Sequence, residues 1–164
     1  MNLAESPTLK SHVGKPAILD SNLLLLQWCA SFDRHLVTTF KRLNSFQNED
    51  FELLSETLKL FSAIHTTPHV LTEVSNLANQ LPSWVKDDWF EHFSREIKII
   101  PEEWTPAATV ASGDFMRLGL TDAALATLAT THVILTIDFP LSNSLESRGL
   151  SVINFTHLRS LWLE

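Results

Sequence analysis

Four acidic residues in this chain stand where a short apolar run meets a stretch with helical spacing: Asp20, Glu73, Asp122 and Asp138. If the fold gathers their side chains, the repulsion among the carboxylates requires a strongly positive partner between them. Carboxylate oxygens are the ligands that Mg²⁺ and Mn²⁺ prefer. Because such cations activate water and neutralise phosphate charge, the sequence predicts a metal-dependent phosphoryl-transfer centre.

Each of these acids also has a purely structural interpretation. Asp20 and Asp122 are suited to cap the helices that follow them, and Asp138 is suited to a turn. Glu73 falls in the first turn of a predicted helix, where exposed backbone N–H groups favour a negative charge. Four independent structural roles need not follow one another in the order described below, so their joint occurrence favours a site.

Short apolar segments alternate with helical stretches along the chain. Residues 16–19 form an apolar run that ends at Asp20, and residues 132–137 form another that ends at Asp138. Both runs predict buried strands, and strands alternating with helices indicate an α/β fold with a parallel sheet. Ligands bind such sheets beyond the carboxyl ends of the strands. We therefore expect Asp20 and Asp138 to lie in one crevice.

The remaining elements follow from apolar periodicity and from the positions of proline and glycine. The predicted helices are residues 21–30, an antiparallel pair within residues 33–64, and then residues 71–80, 84–96, 107–118, 123–129 and 141–148. Two further strands are predicted at residues 97–100 and 150–155. Residues 1–14 are expected to form a flexible N-terminal lead, and residues 15–164 a single domain.

Four short motifs, taken in order, resemble those of the PIN domain, the nuclease fold of VapC-type toxins. They are Ile18-Leu19-Asp20-Ser21-Asn22, Leu71-Thr72-Glu73-Val74, Leu120-Thr121-Asp122-Ala123-Ala124 and Leu135-Thr136-Ile137-Asp138-Phe139. The resemblance covers residues 16–156. It implies a three-layer α/β/α sandwich with a mostly parallel central sheet, and a Mg²⁺- or Mn²⁺-dependent endoribonuclease activity. By this resemblance the four acids are the catalytic and metal-binding quartet, supported by Asn22 and Thr136.

The resemblance also implies a role and partners. It implies an RNA substrate, the toxin role in a type II toxin–antitoxin pair, a small antitoxin protein as inhibitor, and a homodimer. The chain departs from the family pattern in its longer lead before Asp20 and in Ile137, where a second polar residue is common. Two other roles therefore stay open: a housekeeping RNA-processing nuclease, and a PIN-like interaction module with little activity.

The net charge limits how the protein would hold nucleic acid. The chain carries a formal charge of −7, which opposes high-affinity, non-specific binding to a polyanion. Phosphate contacts need only a few well-placed cations. The candidate phosphate contacts are Arg117, five residues before Asp122, and Lys15, just before the first predicted strand. For each of them, solvated surface charge is the alternative and the favoured interpretation.

Cysteine and histidine usage bears on the compartment and on the metal. The single cysteine, Cys29, cannot form an internal disulfide, which fits a reducing compartment. No segment approaches the roughly 20 apolar residues of a membrane span, so we expect a cytoplasmic protein without membrane contact. His65 and His69 are separated by Pro68, which argues against a helical metal-binding pair. Without a Cys/His cluster, Mg²⁺ or Mn²⁺ is expected rather than zinc.

Overall fold

The computed structural model describes residues 2–111 and 113–163. Four parallel strands form one sheet in the order β2-β1-β3-β4. The strands are β1 Pro16–Leu19, β2 Ala63–His65, β3 Val133–Thr136 and β4 Val152–Asn154. Helices pack on both faces of this sheet, so the predicted three-layer α/β/α sandwich with a parallel sheet is confirmed.

Eleven α-helices surround the sheet within the described residues. They are α1 Pro7–Lys10, α2 Ser21–Phe32, α3 His35–Thr39, α4 Asn48–Leu58, α5 Pro68–Ala78, α6 Ser83–Ile99, α7 Ala107–Val110, α8 Phe115–Leu118, α9 Leu120–Leu128, α10 Phe139–Ser147 and α11 Phe155–Leu163. Two 3₁₀ turns lie at Leu3–Glu5 and Lys41–Leu43. None of the helices in this part of the chain has both the length and the apolar character needed to cross a membrane.

The two central strands are buried along almost their whole length. Ile18 in β1 and Ile134 in β3 have no exposed surface, and their strand neighbours are equally covered. Strands with helices on both faces are continuous apolar runs rather than alternating ones, which explains why residues 16–19 and 133–136 contain no charged side chain. The central strands are therefore rigid supports for whatever follows their carboxyl ends.

The connections between strands reverse direction at the centre of the sheet. The chain passes from β1 to β2 on one side of β1, and from β3 to β4 on the opposite side of β3. Because crossovers between parallel strands are right-handed, the helices between β1 and β2 and the helix α10 lie on opposite faces. The reversal leaves a crevice at the carboxyl ends of β1 and β3, the usual ligand position in open α/β sheets.

Several predicted boundaries were wrong. Residues 97–100 do not form a strand, because α6 continues to Ile99 and ends before Pro101. The helix predicted over residues 107–118 is divided into α7 and α8. Gly113 lies between them with a φ of 63°, a conformation that favours glycine.

The N-terminal lead is packed rather than loose. Residues 2–14 contain a 3₁₀ turn and α1, and both Leu3 and Leu9 belong to the main hydrophobic core. The N–H of Gly14 donates to the carbonyl of Leu60 at 2.8 Å. The lead was predicted to be flexible because it is mostly polar, but its Leu3 and Leu9 are buried.

Candidate functional site

The four predicted acids line one solvent-open pocket with a volume of about 230 Å³. Asp20 follows β1 and Asp138 follows the last residues of β3, so these two stand side by side at the crevice where the connections reverse. Asp122 enters from α9 and Glu73 from α5, and these two helices pack against each other. The fold thus gathers acids that are up to 118 residues apart in sequence.

Asp20 is a buried carboxylate held by three donors. Its Oδ1 accepts the backbone N–H of Leu23 at 2.9 Å, which caps α2. Its Oδ2 accepts the hydroxyl of Thr136 at 2.6 Å and the backbone N–H of Ile137 at 2.8 Å. Burial raises the pKa of Asp20, and the three hydrogen bonds oppose that rise. Since a carboxylate has about four acceptor positions, Asp20 retains about one for a ligand.

Thr136 connects the two acids at the strand ends. Its hydroxyl donates to Asp20 and accepts the backbone N–H of Asp138 at 2.9 Å. The hydroxyl of Thr136, which the sequence predicted to support the site, thus contacts the carboxylate of Asp20 and the backbone of Asp138. Asp138 caps α10 by accepting the N–H of Leu141 at Oδ1, at 2.8 Å. Its Oδ2 has no hydrogen bond from residues 2–111 or 113–163, so this oxygen is available to a ligand.

Glu73 is fixed by two hydroxyl groups that the sequence interpretation missed. Ser21 donates to its Oε2 at 2.6 Å, and Thr121 donates to its Oε1 at 2.7 Å. Glu73 is not in the first turn of its helix as predicted, because α5 begins at Pro68, with Thr67 as its N-cap. The helix N-terminus therefore does not account for this carboxylate. Ser21 and Thr121 each adjoin an acid of the quartet, which is the signal that was overlooked.

Asp122 is the least compensated acid of the four. No described residue donates a hydrogen bond to its side chain, and it does not cap α9. Burial, and then the charges of Asp138, Asp20 and Glu73, raise its pKa to about 7. Each neighbour thus opposes its ionisation, as expected when like charges share a site. A cation in the pocket would reverse this balance.

The spacing of the carboxylates limits how they can bind an ion. Ligands on one Mg²⁺ lie about 2.1 Å from it and hence at most about 4.2 Å apart. In the described part of the chain, one group of three possible metal ligands has donor atoms that all lie within 4.8 Å of one another. That group is not part of the acidic pocket. In this arrangement at most two of the acids can bind one cation directly. Such a cation would keep several water molecules as its other ligands.

The other three predicted site residues differ in where they lie relative to the acidic pocket. Asn22 lines the pocket, but no carboxylate there is its hydrogen-bond partner. Arg117 is directed to Asp114 at 2.7 Å and to Ser144 at 2.8 Å, outside the pocket lining. Lys15 precedes β1 and lies about 16 Å from Asp20 at 3.3 Å per residue, so it cannot contact a phosphate bound at the acids.

A second group of metal-ligand side chains lies elsewhere. His65 Nδ1, His132 Nε2 and an oxygen of Glu103 lie within 4.8 Å of one another. The expectation that no such cluster exists was wrong, because His65 and His132 are 67 residues apart and only the sheet brings them together. Burial lowers the pKa of His132, and Glu103 opposes that effect.

Comparison with known proteins adds no assignment. No protein-family model matches the chain, and no curated protein is significantly similar to it in sequence. The candidate site thus rests on its own geometry.

Proposed function

We propose that this protein is a metal-dependent endoribonuclease that hydrolyses RNA phosphodiester bonds at the acidic pocket. The observation that carries this proposal is the convergence of Asp20, Glu73, Asp122 and Asp138 on one pocket at the carboxyl ends of β1 and β3. Structural caps alone do not require four acids to share a pocket. Asp122, with a pKa of about 7, indicates that the group lacks a positive partner within the protein itself.

The donor set fits Mg²⁺ or Mn²⁺. All four acids offer oxygen, which these hard cations prefer. When bound, such a cation supplies an activated water and neutralises charge on the phosphate oxygens. We assign Asp20 and Asp138 as its direct ligands, since both stand at rigid strand ends and keep acceptor capacity. Glu73 and Asp122 would orient the surrounding water molecules.

The surroundings of the pocket fit a single-stranded nucleic acid. Phe139, directly after Asp138, is 61% exposed, and Leu120 in the pocket lining is 36% exposed. Exposed apolar and aromatic side chains offer surfaces on which bases stack without regard to sequence. The choice of RNA over DNA rests on the PIN-domain resemblance of the four motifs.

The toxin role is a finer proposal that rests on the same resemblance. In this role a small antitoxin protein would cover the pocket, and two copies of the chain would associate. A cellular form of the activity test addresses it: induced expression of the wild type should arrest growth, and expression of Asp138→Asn should not. Growth arrest by both chains would contradict an RNA-cleaving toxin.

The direct test replaces Asp138 by asparagine. Asparagine is an equally good helix cap, so α10 is retained, while the pocket loses a negative ligand. We expect cleavage of a mixed RNA pool in Mg²⁺ or Mn²⁺ to fall at least about 100-fold, and EDTA to abolish it in the wild type. Asp20→Asn is a poorer probe, because its amide group would face the N–H of Ile137.

Asp88→Asn is the matched control. It removes the same charge from the exposed surface of α6, remote from the pocket lining, and should cleave at the wild-type rate. Full activity in Asp138→Asn, or undiminished cleavage in EDTA, would overturn the assignment of the acids.

A further inference from the structure

The second cluster joins three parts of the fold away from the acidic pocket. His65 is the last residue of β2, His132 immediately precedes β3, and Glu103 follows α6. Glu103 is held beside β2 by its N–H, which donates to the carbonyl of Thr66 at 2.8 Å. None of these three residues lines the acidic pocket. The cluster and the acidic pocket are therefore separate sites.

The three donor atoms have the spacing of ligands around one ion. Glu103 Oε1 lies 2.8 Å from His65 Nδ1 and 3.4 Å from His132 Nε2, and the two nitrogens are 3.0 Å apart. Zinc binds imidazole nitrogen and carboxylate oxygen at about 2.0–2.2 Å in a tetrahedron, which places the ligand atoms about 3.3 Å from one another. Small side-chain movements bring all three atoms to that distance.

His132 has a hydrogen-bond partner outside the cluster at its Nδ1. The hydroxyl of Thr131 donates to the carbonyl of Leu128 at 3.2 Å. The same hydroxyl lies 2.8 Å from His132 Nδ1, and it accepts there when that nitrogen carries the proton. In that tautomer Nε2 is unprotonated and faces the cluster. Metal-binding histidines show the same arrangement, with the second ring nitrogen held by an outer partner.

With the proton of His132 on Nδ1, a purely hydrogen-bonded network leaves the cluster incompletely paired. A proton on His65 Nδ1 satisfies one acceptor, while the lone pair of His132 Nε2 and the carboxylate of Glu103 both face that same proton. A divalent cation satisfies all three donors at once. The side chain of His132 is 8% exposed, that of His65 19% and that of Glu103 34%. One side thus stays open to solvent for a fourth ligand.

We propose that His65, Glu103 and His132 bind one zinc ion, with water as the fourth ligand. Two imidazoles and one carboxylate are a recognised zinc donor set. The ion would join the end of β2, the start of β3 and the segment after α6. Zinc binding should therefore raise the melting temperature of the protein.

The test measures zinc binding to the purified full chain after chelator treatment and dialysis. We expect one equivalent of Zn²⁺ in isothermal titration, a rise in melting temperature, and a tetrahedral visible spectrum when Co²⁺ replaces it. Glu103→Gln and His65→Gln should each weaken zinc binding at least about 100-fold. Thr131→Val, which removes the outer partner, should weaken it about 10-fold, whereas Thr131→Ser should not.

Two matched variants complete the test. His157→Ala removes an exposed histidine elsewhere and should bind zinc as the wild type does. Asp138→Asn should also bind zinc normally, because the acidic pocket is a separate site. Circular dichroism of each variant establishes that it is folded. Absence of zinc binding in the folded wild type, or equal binding in Glu103→Gln and His65→Gln, would overturn the proposal.

Discussion

Asp122 has the least favourable environment among the acids of the pocket. Asp20 accepts three hydrogen bonds and Glu73 accepts two, whereas the described residues give Asp122 none. Its pKa is about 7, against 3.8 for an unperturbed aspartate. The folded protein therefore binds a proton that the unfolded chain releases at lower pH. Stability without metal must fall as pH rises through this window.

Replacing Asp122 by asparagine should stabilise the metal-free protein at high pH. Asparagine has no charge to desolvate, so its advantage over aspartate grows from pH 4 to pH 7 and then stays constant. Because Asp122 is partly exposed, we discount the full shift and expect on the order of 1–2 kcal/mol at pH 8. Melting temperatures in EDTA at pH 4–8 measure this gain.

Asp88→Asn serves as the comparison for charge alone. Its melting temperature should stay parallel to that of the wild type over the same pH range, since Asp88 is exposed. If Asp122→Asn and the wild type also differ by a constant amount at every pH, Asp122 does not titrate near neutrality.

Residue chemistry determined which parts of the site the sequence could predict. Asp20, Glu73, Asp122 and Asp138 were identifiable because each adjoins an apolar run or a helix start, and the structure brings all four to one pocket. Lys15 was misplaced because closeness in sequence was taken for closeness in space. It lies at the amino end of β1, and the acids lie at the carboxyl end. The hydroxyl partners of Glu73 depend on the packing of α2, α5 and α9.

At the level of elements, strand positions were predictable where burial is complete. The runs that became β1 and β3 contain no charged side chain because helices cover both faces. The run at residues 97–100 is rich in isoleucine but contains Lys98, and it continues α6. Extending an existing helix requires no new nucleation, so the β-branched Ile97 and Ile99 remain helical, and the chain becomes extended at Ile100. Isoleucine content alone cannot decide between these outcomes.

The N-terminal segment offers a test of element packing. Leu9 in α1 is 1% exposed and belongs to the main core. Leu9→Ala should therefore lower the free energy of unfolding by about 2–4 kcal/mol. Urea denaturation followed by circular dichroism measures the change, and RNA cleavage well below the melting temperature should be unaffected.

Lys10→Ala is the neighbouring control, since Lys10 is exposed on the same helix. It should change the free energy of unfolding by less than about 0.5 kcal/mol. Equal stability of Leu9→Ala and the wild type would show that residues 2–14 behave as the loose lead expected from the sequence.

At the scale of the whole molecule, strand order creates both candidate sites. The reversal between β1 and β3 opens the crevice for the acids, and the adjacency of β2, β1 and β3 lets His65 approach His132. The rule for parallel sheets predicted the first site, because it concerns strand ends only. The second requires the register of three strands, which no local motif specifies. This explains why the sequence predicted one site and not the other.

The two sites should respond to different metals. By our proposal Mg²⁺ binds the folded acidic pocket but not the unfolded chain, so it should stabilise the protein. At ten times its Kd, Mg²⁺ would contribute about 1.4 kcal/mol, or about 3–5 °C in melting temperature for a chain of this size. Melting curves of chelator-treated protein, with NaCl at matched ionic strength, separate this binding from screening of the −7 net charge.

Two variants make this prediction specific to the site. Asp138→Asn should lose the Mg²⁺-dependent rise and keep that caused by Zn²⁺, whereas Glu103→Gln should show the opposite pattern. An equal rise in NaCl, or in Asp138→Asn, would mean that Mg²⁺ acts through general screening. Since screening acts on every surface charge, it cannot produce opposite responses in two variants that each remove a single carboxylate.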